Sequence, residues 1–268
     1  MITTGLYILS VFAINIVILA FLKDSGWAQL GAIATMAAAI LIQKFVHKEP
    51  LSSLGYRRCA WRQVAIGLLL PIVILSIILG VGLLLGVTQI VIPEDESFAF
   101  GTFGISLLLN AVVLSLMEMV AEELLFRGYI LNKLRVWLGG GLGLLVSMVV
   151  FGLWHLLPST FLIGLNPLRT PLYLFNMFLL GGLFGLVFMK SNSLIPAAIF
   201  HGVWNTLEYW LTGFGDSVRL FNTEMRLMFD PEDGVIGTLF LLFFFAYLFS
   251  RSGLLQSLMS RPKPALSV

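Results

Sequence analysis

Two adjacent glutamates and an arginine, in Glu122-Glu123-Leu124-Leu125-Phe126-Arg127, interrupt an otherwise apolar stretch of this chain. On insertion scales a charged residue at the centre of a membrane helix costs about 2.5–3.5 kcal/mol. Several together are retained where they face a polar cavity and act there. Two further apolar runs carry polar residues at helical spacing, Phe151-Gly152-Leu153-Trp154-His155 and His201-Gly202-Val203-Trp204-Asn205. His201 and Asn205 are four apart, so a helix presents them on one face. The remaining histidine, His47, lies in a basic segment. A lone His or Asn in a membrane helix is commonly a packing hydrogen-bonder. Carboxylates, two histidines and an asparagine on three separate runs point instead to one shared site.

Spacing divides the work within the glutamate pair. Neighbouring helix residues point about 100° apart, so Glu122 and Glu123 face different surroundings. Glu123 and Arg127 are i,i+4 with the acid first, the favourable order for an ion pair. Glu122 stays free of that cation, four residues beyond Glu118 on its own face. A carboxylate in a low-dielectric cavity without a fixed counterion is suited to be a general base, and Glu122 is assigned that part.

The elements that must position these residues are membrane helices. The 268 residues are 59% hydrophobic and 11% charged, with a mean hydropathy of +0.98. Soluble domains carry about 25% charge, so an all-α, polytopic membrane helix bundle is expected. About 20 apolar residues span a bilayer. Candidate spans are 5–22, 28–46, 64–87, 104–134, 141–157, 172–190, 194–211 and 235–250, about eight transmembrane helices in one integral-membrane domain, 1–268, with its core near 100–212. A continuous helix over 105–136 would set Glu122 near mid-helix. The first span lacks a basic lead and a cleavage site and reads as a retained helix. With the N-terminus in the cytoplasm, Lys44, Lys48, Arg57, Arg58, Arg62, Lys133, Arg135, Lys190, Arg251, Arg261 and Lys263 fall inside. Only Lys23, Arg169, Arg219 and Arg226 fall outside. This positive-inside bias places both termini in the cytoplasm. The acidic Pro93-Glu94-Asp95-Glu96 turn and the Asp216–Asp233 loop fall outside.

Several classes are disfavoured. A net charge of +2 gives no reason to expect nucleic acid, and the single cysteine, Cys59, excludes an internal disulfide. Gly139-Gly140-Gly141-Leu142-Gly143 lacks the Lys-Ser/Thr of a phosphate loop and reads as a tight connection. Repeats of the kind that build transporters are not visible.

The three motifs resemble those of the CPBP (CAAX protease and bacteriocin-processing) family of intramembrane proteases, which includes the Ras-converting CAAX endopeptidases. Its Glu-Glu-x-x-x-Arg, Phe-x-x-x-His and His-x-x-x-Asn patterns are intact here and in order over about 100–212. Ser53-Leu54-Gly55-Tyr56-Arg57-Arg58 is similar to a further feature of the family. The resemblance implies that Glu122 and His155 activate a water, that His201 and Asn205 stabilise the oxyanion, and that Glu123 and Arg127 support them. It leaves the need for a metal open. If a divalent ion such as zinc is used, Glu122, His155 and His201 would hold it, although a His-Glu-x-x-His helix motif is missing.

The leading expectation is an intramembrane endopeptidase of a bacterial or archaeal cytoplasmic membrane. Its substrate would be a prenylated C-terminus, a bacteriocin-like precursor or a membrane-protein segment. Lipids are further partners, and the basic loop 44–62 is a candidate dock for anionic lipid or an acidic tail. The alternative is a non-catalytic immunity factor or scaffold on the same fold. A proton or ion carrier using Glu118 and Glu122 is a third.

Overall fold

The computed structural model describes residues 2–22, 36–92, 100–120, 122–156, 159, 167–213 and 220–259. The Pro93–Glu96 turn, the first part of span 28–46, the C-terminal tail, and Lys23, Asp216, Arg219, Arg261 and Lys263 lie outside the described residues. Helices dominate: α1 Ile2–Leu22, α3 Trp61–Leu84, α4 Phe100–Val120, α5 Asn132–Leu138 and α6 Gly140–Trp154 in the first part, with α2 at Met36–Val46. Then come α7 Thr170–Ser191, α8 Leu194–Leu207, a short α9 Arg226–Phe229, α10 Val235–Arg251 and α11 Leu254–Met259.

Trp61–Leu84 and Thr170–Ser191 are long and apolar enough to cross a membrane. Thr3–Ile14, Met36–Val46, Phe103–Glu118, Gly140–Trp154 and Val235–Arg251 are shorter apolar helices. The bundle expected from sequence is therefore present as a helical architecture, with fewer full-length spans among the described residues than the eight counted by hydropathy. The fold also contains a strand pair, β1 (Thr88–Ile90) and β2 (Phe221–Thr223), antiparallel with Gln89 opposite Asn222. These strands link the ends of α3 and α8 farthest from the basic loop, and the pairing continues as Val91 N–H donates to Leu220 O at 2.8 Å.

α8 is the hub, packed against α3, α4 and α7. Ser193 caps it, its Oγ accepting from Ile195 N at 3.3 Å, and Pro196 sits in the first turn, where no N–H is needed. The 49–60 segment anchors that end. Leu194 N–H donates to Gly55 O at 2.9 Å, and Ser193 Oγ–H donates to Arg57 O at 2.7 Å. Gly55 has φ +93°, a conformation open to glycine. This gives the Ser53–Arg58 stretch a physical task, holding the start of the helix that carries His201 and Asn205.

Close helix approach depends on small residues. A Cβ on Gly202 would lie 2.2 Å from the Ser115 backbone nitrogen of α4. One on Gly67 of α3 would lie 2.3 Å from Pro196 O of α8.

The helix expected over 105–136 is helical at each of its described residues, and it changes to π-helical geometry over Leu124–Leu131 before α5 follows. All eight π-helical residues are buried, Arg127 among them. Insertions of i→i+5 geometry gather at functional sites. This one begins immediately behind the glutamate pair.

Candidate active site

Arg127 is the most deeply buried cation of the core, 1% exposed, and Glu123 is 0% exposed. Arg127 Nη1 lies 2.9 Å from Glu123 Oε1, and Nη2 donates to Gly181 O on α7 at 3.3 Å. The guanidinium also lies over the rings of Phe151 at 4.2 Å and Phe184 at 4.9 Å. A desolvated cation over aromatic faces gains about 2 kcal/mol. One carboxylate, one carbonyl and two aromatic faces thus compensate its burial.

Glu123 has a second partner that spacing could not disclose. Its Oε1 accepts from His201 Nδ1 at 3.0 Å, while Phe184 stacks on the His201 ring with centroids 4.6 Å apart. A carboxylate only accepts, so Nδ1 carries the proton. Glu123 is therefore the joint between the arginine of one segment and the histidine of another.

Glu118, whose part the sequence left open, proves to belong to the constellation. Asn205 Nδ2 donates to Glu118 Oε1 at 3.2 Å, and Glu118 Oε2 lies 3.8 Å from His201 Nδ1. Its position four residues before Glu122 was the available signal. The amide of Asn205 was not predictable from its own helix.

Glu122 differs from its neighbours. Its Oε2 is buried and has no hydrogen-bond partner among the described residues. Glu123 Oε2 is also unpartnered, but the other oxygen of Glu123 serves both Arg127 and His201. Donor atoms of Glu118, Glu122 and His201 lie within 4.8 Å of one another, a spacing suited to a metal ion. The donor set that the structure groups is thus Glu118, Glu122 and His201, with Glu118 where the sequence had placed His155.

His155 sits at the C-terminal end of α6. Its Nδ1 lies 2.9 Å from Phe151 O, and since a carbonyl only accepts, the proton is on Nδ1 and the neutral ring leaves Nε2 an acceptor. The Phe151 ring lies between the two imidazoles, its centroid 4.6 Å from that of His155 and 6.1 Å from that of His201.

Below the site, on the side of the basic loop, a cavity of about 730 Å³ is lined by residues including His47, Glu49, Asn132, Lys133 and Arg135. Lys133 Nζ donates to Glu49 Oε1 at 2.8 Å, which holds the Glu49 carboxyl below the usual carboxylate range.

Residues 104–207 match the Rce1-like family, described as type II CAAX prenyl endopeptidase. The matched segment holds Glu122, Glu123, Arg127, His155, His201 and Asn205. This segment is similar to that family. No curated protein matches the chain. The matched segment spans α4 to α8 and contains both helices that flank the Gly202 contact, so it coincides with the polar constellation. The apolar helices fit a membrane-embedded chain.

Proposed function

We propose that the chain is an intramembrane endopeptidase of the CAAX-processing type, with Glu122 as general base. The observation that carries this is the buried, unpartnered Glu122 oxygen, set among polar side chains whose other atoms are engaged. A water hydrogen-bonded to Glu122 and to Nε2 of His155 attacks the scissile carbonyl. Glu122 accepts the water proton as the C–O bond forms, then passes it to the leaving nitrogen as the C–N bond breaks. His201 and Asn205 donate to the oxyanion, a contribution of about 10²–10³ in rate per donor. His201 can donate from Nε2 only as an imidazolium, because Nδ1–H is given to Glu123. The carboxylates of Glu123 and Glu118, 3.0 and 3.8 Å from Nδ1, supply the counter-charge that form needs.

A divalent ion fits the same residues, since two carboxylates and an imidazole make a zinc-type set with room for water. Glu118, Glu122 and His201 would hold it, and bound there it would lower the pKa of its water. In either case Glu123 and Arg127 fix the histidine and Asn205 is oriented by Glu118.

The substrate is a polypeptide, and a prenylated C-terminus is the form proposed from the family. The cavity beside Lys133 and Arg135 offers an acidic tail or lipid headgroup a place to dock at the cytoplasmic side. The decisive experiment is digestion of a labelled prenyl-peptide and a panel of membrane-segment peptides in detergent, with Glu122→Ala in parallel. Cleavage by the wild type and none by the variant supports the reading. No cleavage by either would favour a non-catalytic scaffold, and equal cleavage by both would remove Glu122 as the base.

A further inference from the structure

α7 carries none of the three motifs, yet one of its faces reaches both the buried ion pair and the histidine beside it. Gly181 O accepts from Arg127 Nη2 at 3.3 Å. Three residues on, the Phe184 ring stacks on the His201 imidazole. Residues three apart share a helix face. The two ring planes lie within 20° of parallel with centroids 4.6 Å apart, and the Arg127 guanidinium carbon is 4.9 Å from the centroid of the same Phe184 ring. Phe184 is 1% exposed. Near-perpendicular rings hold it in turn, Phe200 of α8 at 4.9 Å and Phe151 of α6 at 6.2 Å.

The hydrogen bond to Glu123 fixes His201 at one atom only. Nδ1 donates to Glu123 Oε1 at 3.0 Å, but the torsion that turns an imidazole about its stem is broad and roughly two-fold. One bond therefore leaves the tilt of the ring, and with it the direction of Nε2, open. A parallel ring in contact supplies the missing constraint, because it resists tilting. Charge asks for the same neighbour. As an imidazolium, His201 shares a single Glu123 oxygen with Arg127, so two cations meet at one acceptor. The negative face of an aromatic ring attracts cations. An aliphatic side chain of similar volume would fill the space and attract neither.

We infer that Phe184 is a positioning residue of the site, its ring setting the plane of the His201 imidazole and holding the Arg127 guanidinium beside Glu123. It acts through His201 and is not itself catalytic. Its effect on cleavage rests on the reading of His201 as an oxyanion donor; its effect on the imidazole does not.

The test compares Phe184→Leu, which keeps an apolar side chain and removes the face, with Phe184→Tyr, which keeps the face. Phe188→Leu is the packing control. Phe188 lies one turn farther along α7, is 0% exposed and stands against Gly55. All variants are the full chain in detergent, at one fixed pH. Two quantities are read: cleavage of the labelled prenyl-peptide, and the downfield proton resonance of the His201 Nδ1–H, identified by its loss in His201→Gln. Phe184→Leu should lower kcat by about 10–100-fold, the usual worth of an orienting partner, with KM little changed. It should also broaden the Nδ1–H signal. Phe184→Tyr should keep both near wild type. Phe188→Leu should lower the thermal midpoint as far as Phe184→Leu does and keep the wild-type signal. A kcat loss in Phe188→Leu as large as in Phe184→Leu overturns the inference, because Phe184 is then a packing residue alone. A sharp, unchanged Nδ1–H signal in Phe184→Leu also overturns it. Where Phe184→Leu fails to fold, Phe184→Met, with its flexible side chain, carries the same comparison. If the wild type cleaves nothing, the catalytic reading falls and the proton signal alone decides this inference.

Discussion

Glu123 engages Arg127 and His201 through one oxygen, while Glu122 keeps a buried oxygen without a partner. Substitution should therefore separate them. Glu122→Gln preserves shape and should lower cleavage by about 10²–10⁴-fold, the usual worth of a general base, with the thermal midpoint nearly unchanged. Glu123→Gln leaves a buried guanidinium without its counterion, and breaking such a pair costs about 3–5 kcal/mol. Its loss should show first in thermal unfolding, and Arg127→Ala should resemble it. A folded, inert Glu123→Gln beside an active Glu122→Gln would reverse the two roles. Glu118 makes a gentler case. Removing a group that orients another typically costs about 10–100-fold. Glu118→Ala should lower kcat by that much with KM little changed, and an unaltered kcat would remove Glu118 from the positioning of Asn205.

The close backbone approach of α4 and α8 is made at Gly202 against Ser115. A Cβ there would stand 2.2 Å from a backbone nitrogen and 2.4 Å from a Cα, neither of which can rotate away. Overpacking of this kind costs about 1–3 kcal/mol. Gly202→Ala should therefore lower the unfolding midpoint and, by moving α8 from α4, lengthen the Asn205–Glu118 contact. Cleavage should fall more steeply than stability. A variant with wild-type cleavage would show that the glutamates do not depend on this approach. The π-helical Leu124–Leu131 segment acts at the same scale, delivering Arg127 to α7 and the Phe151 and Phe184 rings while it remains paired to Glu123.

Orientation in the bilayer belongs to the molecule as a whole. Cys59 is the chain's one cysteine and lies in the basic segment beside the start of α8. An impermeant thiol reagent applied to sealed vesicles should label it from the cytoplasmic side alone. Labelling from the outside would invert the topology and bring the cavity lined by Lys133 and Arg135 to the external face.

Sequence by itself determined the helical membrane class, the three motifs and the Glu123–Arg127 pairing, because each depends on composition or on spacing within one helix. Helical periodicity is local, and an i,i+4 pair needs no knowledge of neighbours. The motifs also carried the resemblance to the family that residues 104–207 match. What the spacing could not supply was contact between helices. The His201–Glu123 bond joins residues 78 apart, and the Asn205–Glu118 bond joins residues 87 apart. Tertiary structure alone therefore brought Glu118 into the site, grouped it with Glu122 and His201, and set His155 against Phe151. It also set a π segment within the expected helix and joined Asn176 to the 230–233 turn. Which faces of separate helices meet depends on their packing, and here glycines fix that packing by allowing backbones to touch.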